Sequence, residues 1–348
     1  MASLSPEVSA NPRERRRPSS LPVALAAPSL CAAALVLLIG SLLAYGAELS
    51  WLLERLCHLR FQLALAALVL LPLVLAVRRW RWALLLVAAL AINLGELVEH
   101  YGLPAHHQEA RAVSVAEAPG LRVFYANLLA SNPSAALLAP QIQASQADLL
   151  VLLELTPAWE RRLEGALASY SHRLLERRED NFGLGIYSRL PLRLPVLHAS
   201  SVQGFDLEVP LAEVVVDAPW GPVRILAAHP VPPTSSAAMR ARDGQLVELA
   251  ALVRARAMAT AVLGDLNTTV LAPSYGELVE RSGLRNGLDS QPLPWLSGTW
   301  PAGLPAPLRI PIDHCLVSPE LAVGELHVGS IFGSDHLPLV LELRAMSP

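Results

Sequence analysis

From Pro18 to Ala47 the chain carries no charged residue, and the run Leu21 to Ala47 is dominated by Ala, Leu and Val. Crossing the hydrocarbon core of a bilayer takes ~20 apolar residues as a helix, so this stretch predicts a span. Its length also exceeds the ~7 to 15 apolar residues of a secretory signal. A second uncharged run, Phe61 to Val77, lies between Arg60 and Arg78, and a third starts at Trp82 and ends before Glu96. The third is short: it fits either an interfacial helix or a span lengthened by Trp80 and Arg81 at the interface. The reading adopted is a transmembrane region over 21–98, with spans at about 21–47, 61–77 and 80–98. It follows an Arg-rich tail over 1–20 and precedes a polar linker over 99–118.

The arginines orient these spans. Arg13, Arg15, Arg16 and Arg17 precede the first run, and Arg78, Arg79 and Arg81 separate the second from the third. The connector between the first two runs holds only Arg55 and Arg60, beside Glu48 and Glu54. By the positive-inside bias the tail and the second connector face the cytoplasm. Three spans then put residues 119–348 on the periplasmic or extracellular side of a multi-pass cell-membrane protein.

Hydrophobic residues make up 53% of the chain and charged residues 16%, and the apolar excess sits in the first hundred positions. Residues 112–348 hold 17 Arg against 23 Asp and Glu, a net charge of −6. A domain that neutralises a nucleic-acid backbone needs the opposite sign, so this balance disfavours nucleic acid as partner. Cys31, Cys57 and Cys315 have neither disulfide-framework nor metal-knuckle spacing. His106 and His107 read as solvated linker residues.

From residue 121 onward, short branched apolar runs alternate with turn residues: 121–126, 148–153, 184–187, 211–216, 223–228, 261–263, 312–317 and 337–343. These predict buried strands. Helical patterns occupy 134–145, 157–168 and 237–256, with Pro140 expected to kink the first. Strands outnumber helices, which points to packed sheets with helices outside rather than to one parallel sheet.

Polar residues recur at the ends of the buried strands: Asn127, Glu154, His229, Asp265 with Asn267, Asp313, and Asp335 with His336. Functional side chains are commonly displayed at such ends. Taken singly, Asn127, Glu154 and His229 are better explained as turn or capping residues. The segment Gly264-Asp265-Leu266-Asn267 is more specific. Asp335-His336 is more specific still, because an adjacent carboxylate and imidazole before an apolar strand have little packing rationale.

The motifs Phe124-Tyr125-Ala126-Asn127, Leu152-Leu153-Glu154, Gly185-Ile186-Tyr187-Ser188-Arg189, Ala228-His229-Pro230, Gly264-Asp265-Leu266-Asn267, Ile312-Asp313-His314 and Ser334-Asp335-His336-Leu337-Pro338 occur in this order. In this the chain resembles the endonuclease/exonuclease/phosphatase (DNase I-like) superfamily over about residues 119–345. The resemblance implies a four-layer αββα sandwich of two mainly antiparallel sheets flanked by helices. It implies a hydrolase acting on phosphoric esters, with Mg²⁺ or Mn²⁺ held by Glu154, Asn127 and Asp335. Asp265 and Asn267 would hold the attacking water and a phosphate oxygen, Asp313 would orient His336 as general base, and His229 would assist phosphate or leaving group. Ala126 stands where the family often has an aromatic residue, and Leu153 where it often has Gln. Arg309 is a further candidate phosphate contact. Tethering favours a lipid headgroup as substrate over a polynucleotide.

Overall fold

The computed structural model describes residues 21–102, 119–202, 204–291 and 293–346. The Arg-rich tail, and the linker from residue 103 with His106 and His107, lie outside them. The apolar runs form helices α1 (Leu21–Leu43), α3 (Arg60–Ala76) and α4 (Trp80–Tyr101). Between α1 and α3 come a 3-10 turn, Ala44–Leu49, and a short helix α2, Trp51–His58. Ser50 caps α2 by accepting from the Leu52 N–H.

Two segments among the described residues are long and apolar enough to cross a membrane, Ala27–Leu49 and Trp80–Tyr101. The third expected span, 80–98, is a helix of 22 residues that is long and apolar enough to cross, and it runs on through 99–101, assigned above to the linker. The middle run is now the shortest, with 17 residues in α3, and passes the same test only when joined to α2 across a 60° bend. A polar knot fastens the three long helices. Arg60 donates to the Ser41 carbonyl at 3.1 Å, and Asn93 to the Ser41 hydroxyl at 2.7 Å.

From Leu121 the chain builds two six-stranded sheets. The first joins β1 (Leu121–Asn127), β2 (Leu149–Leu153), β3 (His172–Glu176) and β4 (Leu184–Ser188) to β11 (Leu321–Val328) and β12 (Leu339–Ala345). The second joins β5 (Leu192–Ser201), β6 (Glu208–Ala218), β7 (Gly221–Ala228), β8 (Thr260–Asp265), β9 (Arg285–Asn286) and β10 (Asp313–Val317). Each is antiparallel except for one central parallel pair, β1 with β2 and β7 with β8. Outside pack α5 (Leu138–Ser145) and α6 (Pro157–Leu167) on the first sheet, and α7 (Ser236–Arg254) and α8 (Pro273–Ser282) on the second.

Strand alternation sorts the side chains. Val123, Tyr125, Leu149, Val151, Ala261, Leu263 and Cys315 point between the sheets, while Phe124, Leu150 and Leu152 meet α5 and α6, and Val262 and Leu316 meet α7 and α8. Both faces of each sheet are therefore covered, which is why the strands read as continuous apolar runs. Each such buried Leu, Val or Phe contributes roughly 1.5–3 kcal/mol. Pro140 produces no kink: α5 begins at Leu138, so the proline lies in its first turn, where its missing N–H has no helical partner to lose.

Candidate active site

The same alternation carries the site. Counting outward from the inner residues Tyr125, Leu263 and Cys315, the strand ends Asn127, Asp265 and Asp313 point into the gap between the sheets at one edge. His229 follows the inner Ala227 by two. Asp265 and Asp313 stand opposite one another in the β8–β10 pair. His314, one residue on, points outward and bonds the Thr268 carbonyl at 2.8 Å, a structural role. Gly264 is required here, since a Cβ would lie 2.0 Å from the Ala228 carbonyl oxygen. Glu154 and Asn267 take left-handed backbone, φ +56 and +51. Asn tolerates this conformation, but for Glu it is strain of the kind met at functional sites, roughly 1–3 kcal/mol.

His336 is the centre of the cluster. Its Nδ1 lies 2.8 Å from Asp313 Oδ2, and its Nε2 lies 3.5 Å from Asp265 Oδ2. His229 Nε2 approaches the same Asp265 oxygen at 3.6 Å from the other side. Asn127 donates to Asp265 Oδ2 at 3.2 Å, and the Asn267 backbone N–H donates to Oδ1 at 3.0 Å. Glu154 Oε2 accepts the Ala130 N–H at 2.8 Å. Asp335, the one exposed member, accepts from Trp300 Nε1 at 3.1 Å.

Charge in this space is unbalanced. Burial pushes the Glu154 carboxyl up and drives Asp265 up to about 7. Burial alone would neutralise His336, but the Asp313 and Asp265 carboxylates outweigh it and push the imidazole up to about 10. Burial also favours the acid form of Asp313, yet His336 and the Thr299 and Tyr125 hydroxyls hold it below the usual carboxylate range. Burial brings His229 down to about 4, so it is neutral.

Acid groups pushed up by burial, with oxygen donors on Glu154, Asn127 and Asp335, suit a hard divalent cation. Asp265, Asp313 and His336 also have ligand atoms within 4.8 Å of one another. Asp313 is already saturated, however: Tyr125 OH donates to Oδ1 at 2.6 Å, while the Thr299 hydroxyl and His336 share Oδ2. That favours an orienting role for Asp313 and leaves the cation to the Glu154 side.

Glu154, His229, Asp265, Asn267, Asp335 and His336 open into one cleft of about 760 Å³, whose walls include Phe182, Pro233 and Ile312. All eight strand-end residues singled out in the sequence converge on this edge. Arg309 does not: its Nε donates to the Leu304 carbonyl at 2.7 Å. Sequence reasoning missed Tyr125, Thr299 and Trp300, which brace Asp313 and Asp335. Tyr125 was accessible from its parity with Asn127; Thr299 and Trp300 lie in an irregular loop with no periodic signal. Also missed were Arg55 and His58 of α2, which line the cleft although they belong to the N-terminal connector.

A family model described as the Endonuclease/Exonuclease/phosphatase family matches residues 121–336. An endonuclease/exonuclease/phosphatase from Beutenbergia cavernae superposes with a TM-score of 0.52 at 24% identity, covering 65% of this chain and 72% of that one. An endonuclease/exonuclease/phosphatase family protein from Bacteroides thetaiotaomicron gives 0.54 at 16%, covering 66% and 99%. A mannosyl-6-phosphatase from the same organism gives 0.51 at 17%, covering 64% and 99%. At these identities the superpositions establish the shared fold. No curated protein matches the chain. On the family match and the fold together, the chain belongs to the endonuclease/exonuclease/phosphatase family, whose members are enzymes that hydrolyse phosphoric ester bonds.

Proposed function

We propose that the chain is a membrane-anchored, divalent-metal-dependent phosphoesterase that cleaves a phosphodiester or phosphomonoester by attack of water. The observation that carries this reading is His336 held between Asp313 and Asp265 on the floor of the cleft. Asp313 accepts the Nδ1 proton and so fixes the tautomer in which Nε2 faces the reacting space. Asp265 and Asn267 position the water, Nε2 of the neutral imidazole takes its proton, and Asp313 stabilises the imidazolium that results; a bound cation, by offsetting the carboxylates that push His336 up to about 10, would favour that neutral form. Neutral His229 donates a hydrogen bond to a phosphate oxygen or to the departing group. Glu154, Asn127 and Asp335 would hold Mg²⁺ or Mn²⁺, which when bound offsets the phosphoryl charge that repels nucleophiles.

The domain division is read as a transmembrane region over 21–98 followed by a catalytic domain over 119–348, the latter outside the cytoplasm. The acidic balance of that domain favours a small or lipid-borne phosphoester over a polynucleotide. Purified full-length protein should release p-nitrophenol from mono- or bis-p-nitrophenyl phosphate when Mg²⁺ is supplied. Asp265→Ala and His336→Ala should each slow the reaction by about 10²-fold or more. Full activity in both variants would refute the assignment.

A further inference from the structure

Helix α2 is part of the cleft and part of the membrane region at once. Arg55, His58 and Leu59 line the same space as Glu154, Asp265 and His336. The helix is clamped to the strand end that carries catalytic groups. Buried Glu54 pairs with buried Arg242, whose other guanidinium nitrogen holds the Asn267 carbonyl at 2.6 Å. His58 Nδ1 meets the Thr269 hydroxyl at 2.9 Å. At the start of α3, Gln62 donates to the Pro307 and Arg309 carbonyls at 3.2 and 3.1 Å. From the far end of α4, Leu97 and Tyr101 enter the core shared with α7 and α8.

The exposed side of this junction carries leucines. Leu49 is 84% exposed and Leu52 56%, and Leu308 on the neighbouring loop is also exposed. A short helix with buried polar contacts on one side and exposed leucines on the other, set between two apolar helices, is built to lie at a bilayer surface. The cleft beneath it is larger than a phosphate needs and falls within the ~300–1,000 Å³ of sites that enclose a whole small molecule. Its apolar walls offer nothing to phosphate oxygens. Arg55 does: its guanidinium stacks 4.4 Å over the Trp51 ring and makes no ion pair among the described residues, so its N–H edges are free for an anion. The second superposed structure above is matched over 99% of its length by 66% of this chain. The unmatched third has the size of the segment preceding β1, so that fold is complete without an α2.

We infer that α2 is the substrate-reading wall of the active site, with Arg55 binding an anionic group of a membrane lipid phosphoester whose apolar part stays in the bilayer while its ester reaches His336. This rests on the phosphoesterase reading and adds the substrate's source and the residue that recognises it.

The test uses full-length protein in phosphatidylcholine vesicles doped with phosphatidic acid or phosphatidylglycerol, against glycerol-3-phosphate and glycerophosphoglycerol as their water-soluble counterparts. At least one lipid should be hydrolysed with kcat/KM about tenfold above its soluble counterpart. Arg55→Glu should raise KM for that lipid about tenfold, the loss expected of one charge-assisted hydrogen bond, and Arg55→Lys should recover part of it. Arg281→Glu, on exposed α8, is the control for surface charge and should change nothing. Equal turnover of lipid and soluble forms, or an Arg55→Glu variant with unaltered KM, overturns the inference. Turnover of bis-p-nitrophenyl phosphate without turnover of either lipid also overturns it while leaving the phosphoesterase reading intact. Failure on every substrate removes that reading itself.

Discussion

His336 and Asp313 meet at 2.8 Å through Nδ1 and Oδ2, although they lie on strands of different sheets or the loops leading to them. Tyr125 and Thr299 hold the same carboxylate, so its orientation is fixed before any substrate arrives. Asp313→Asn keeps the shape but presents an amide to Nδ1, so the imidazole loses the partner that fixes its tautomer. The variant should fold with an unchanged circular dichroism spectrum and lose about 10²- to 10⁴-fold in kcat, measured on bis-p-nitrophenyl phosphate.

Glu154, the buried carboxylate proposed above to hold the cation, sits in left-handed backbone beside Asn127. Glu154→Gln preserves its size and removes its charge. The Mg²⁺ concentration giving half-maximal activity should rise by about 10- to 100-fold or more, with activity restored in part at high Mg²⁺. A titration indistinguishable from wild type would remove Glu154 from the metal site.

A separate ionic knot stabilises the second sheet away from the site. Buried Glu213 takes two bonds of 2.9 Å from buried Arg224 and further contacts from Arg256 and His198. Burial favours its acid form, but these partners outweigh burial and hold its carboxyl below the usual range. Its contribution is therefore fully present above the ordinary Glu value and is lost as pH falls through the lowered one. Glu213→Gln leaves Arg224 buried without its partner and should cost about 3–5 kcal/mol. The gap in melting temperature between variant and wild type should be widest near neutrality and narrow below about pH 4.

The three-span reading requires the end of α1, the start of α3 and the end of α4 to lie on one side, facing the catalytic domain. The contacts of Ala44 and Ala47 with Ala272, of Gln62 with the 307–309 loop, and of Tyr101 with the α7 core agree with that arrangement. An alkaline phosphatase fused after Pro348 should be active, and a fluorescent protein that matures only in the cytoplasm should stay dark. The reverse pattern would contradict it.

The central strands were legible because two-sided burial leaves uninterrupted branched runs, as in Leu149–Leu153 and Thr260–Asp265. Edge strands were not: β5 exposes every other residue and contains Pro195, and β11 is broken by a bulge between Val323 and Leu326, so neither keeps a clean apolar signature. Helix α8 was missed because its apolar stripe, Tyr275 and Leu278, is too narrow over ten residues to give a period. The site was legible as strand ends. What the sequence could not convey was the bracing by Thr299 and Trp300, or the return of α2 to the cleft: Glu54 and Arg242 lie 188 residues apart and pair only in the folded chain.

The most direct test of the central claim is hydrolysis of bis-p-nitrophenyl phosphate in water enriched in heavy oxygen, with and without EDTA, followed by phosphorus NMR of the product. The account predicts that the p-nitrophenyl phosphate released carries one solvent oxygen on phosphorus, and that EDTA abolishes the reaction until Mg²⁺ or Mn²⁺ is restored. A product without solvent oxygen on phosphorus, or a rate indifferent to EDTA, would contradict it.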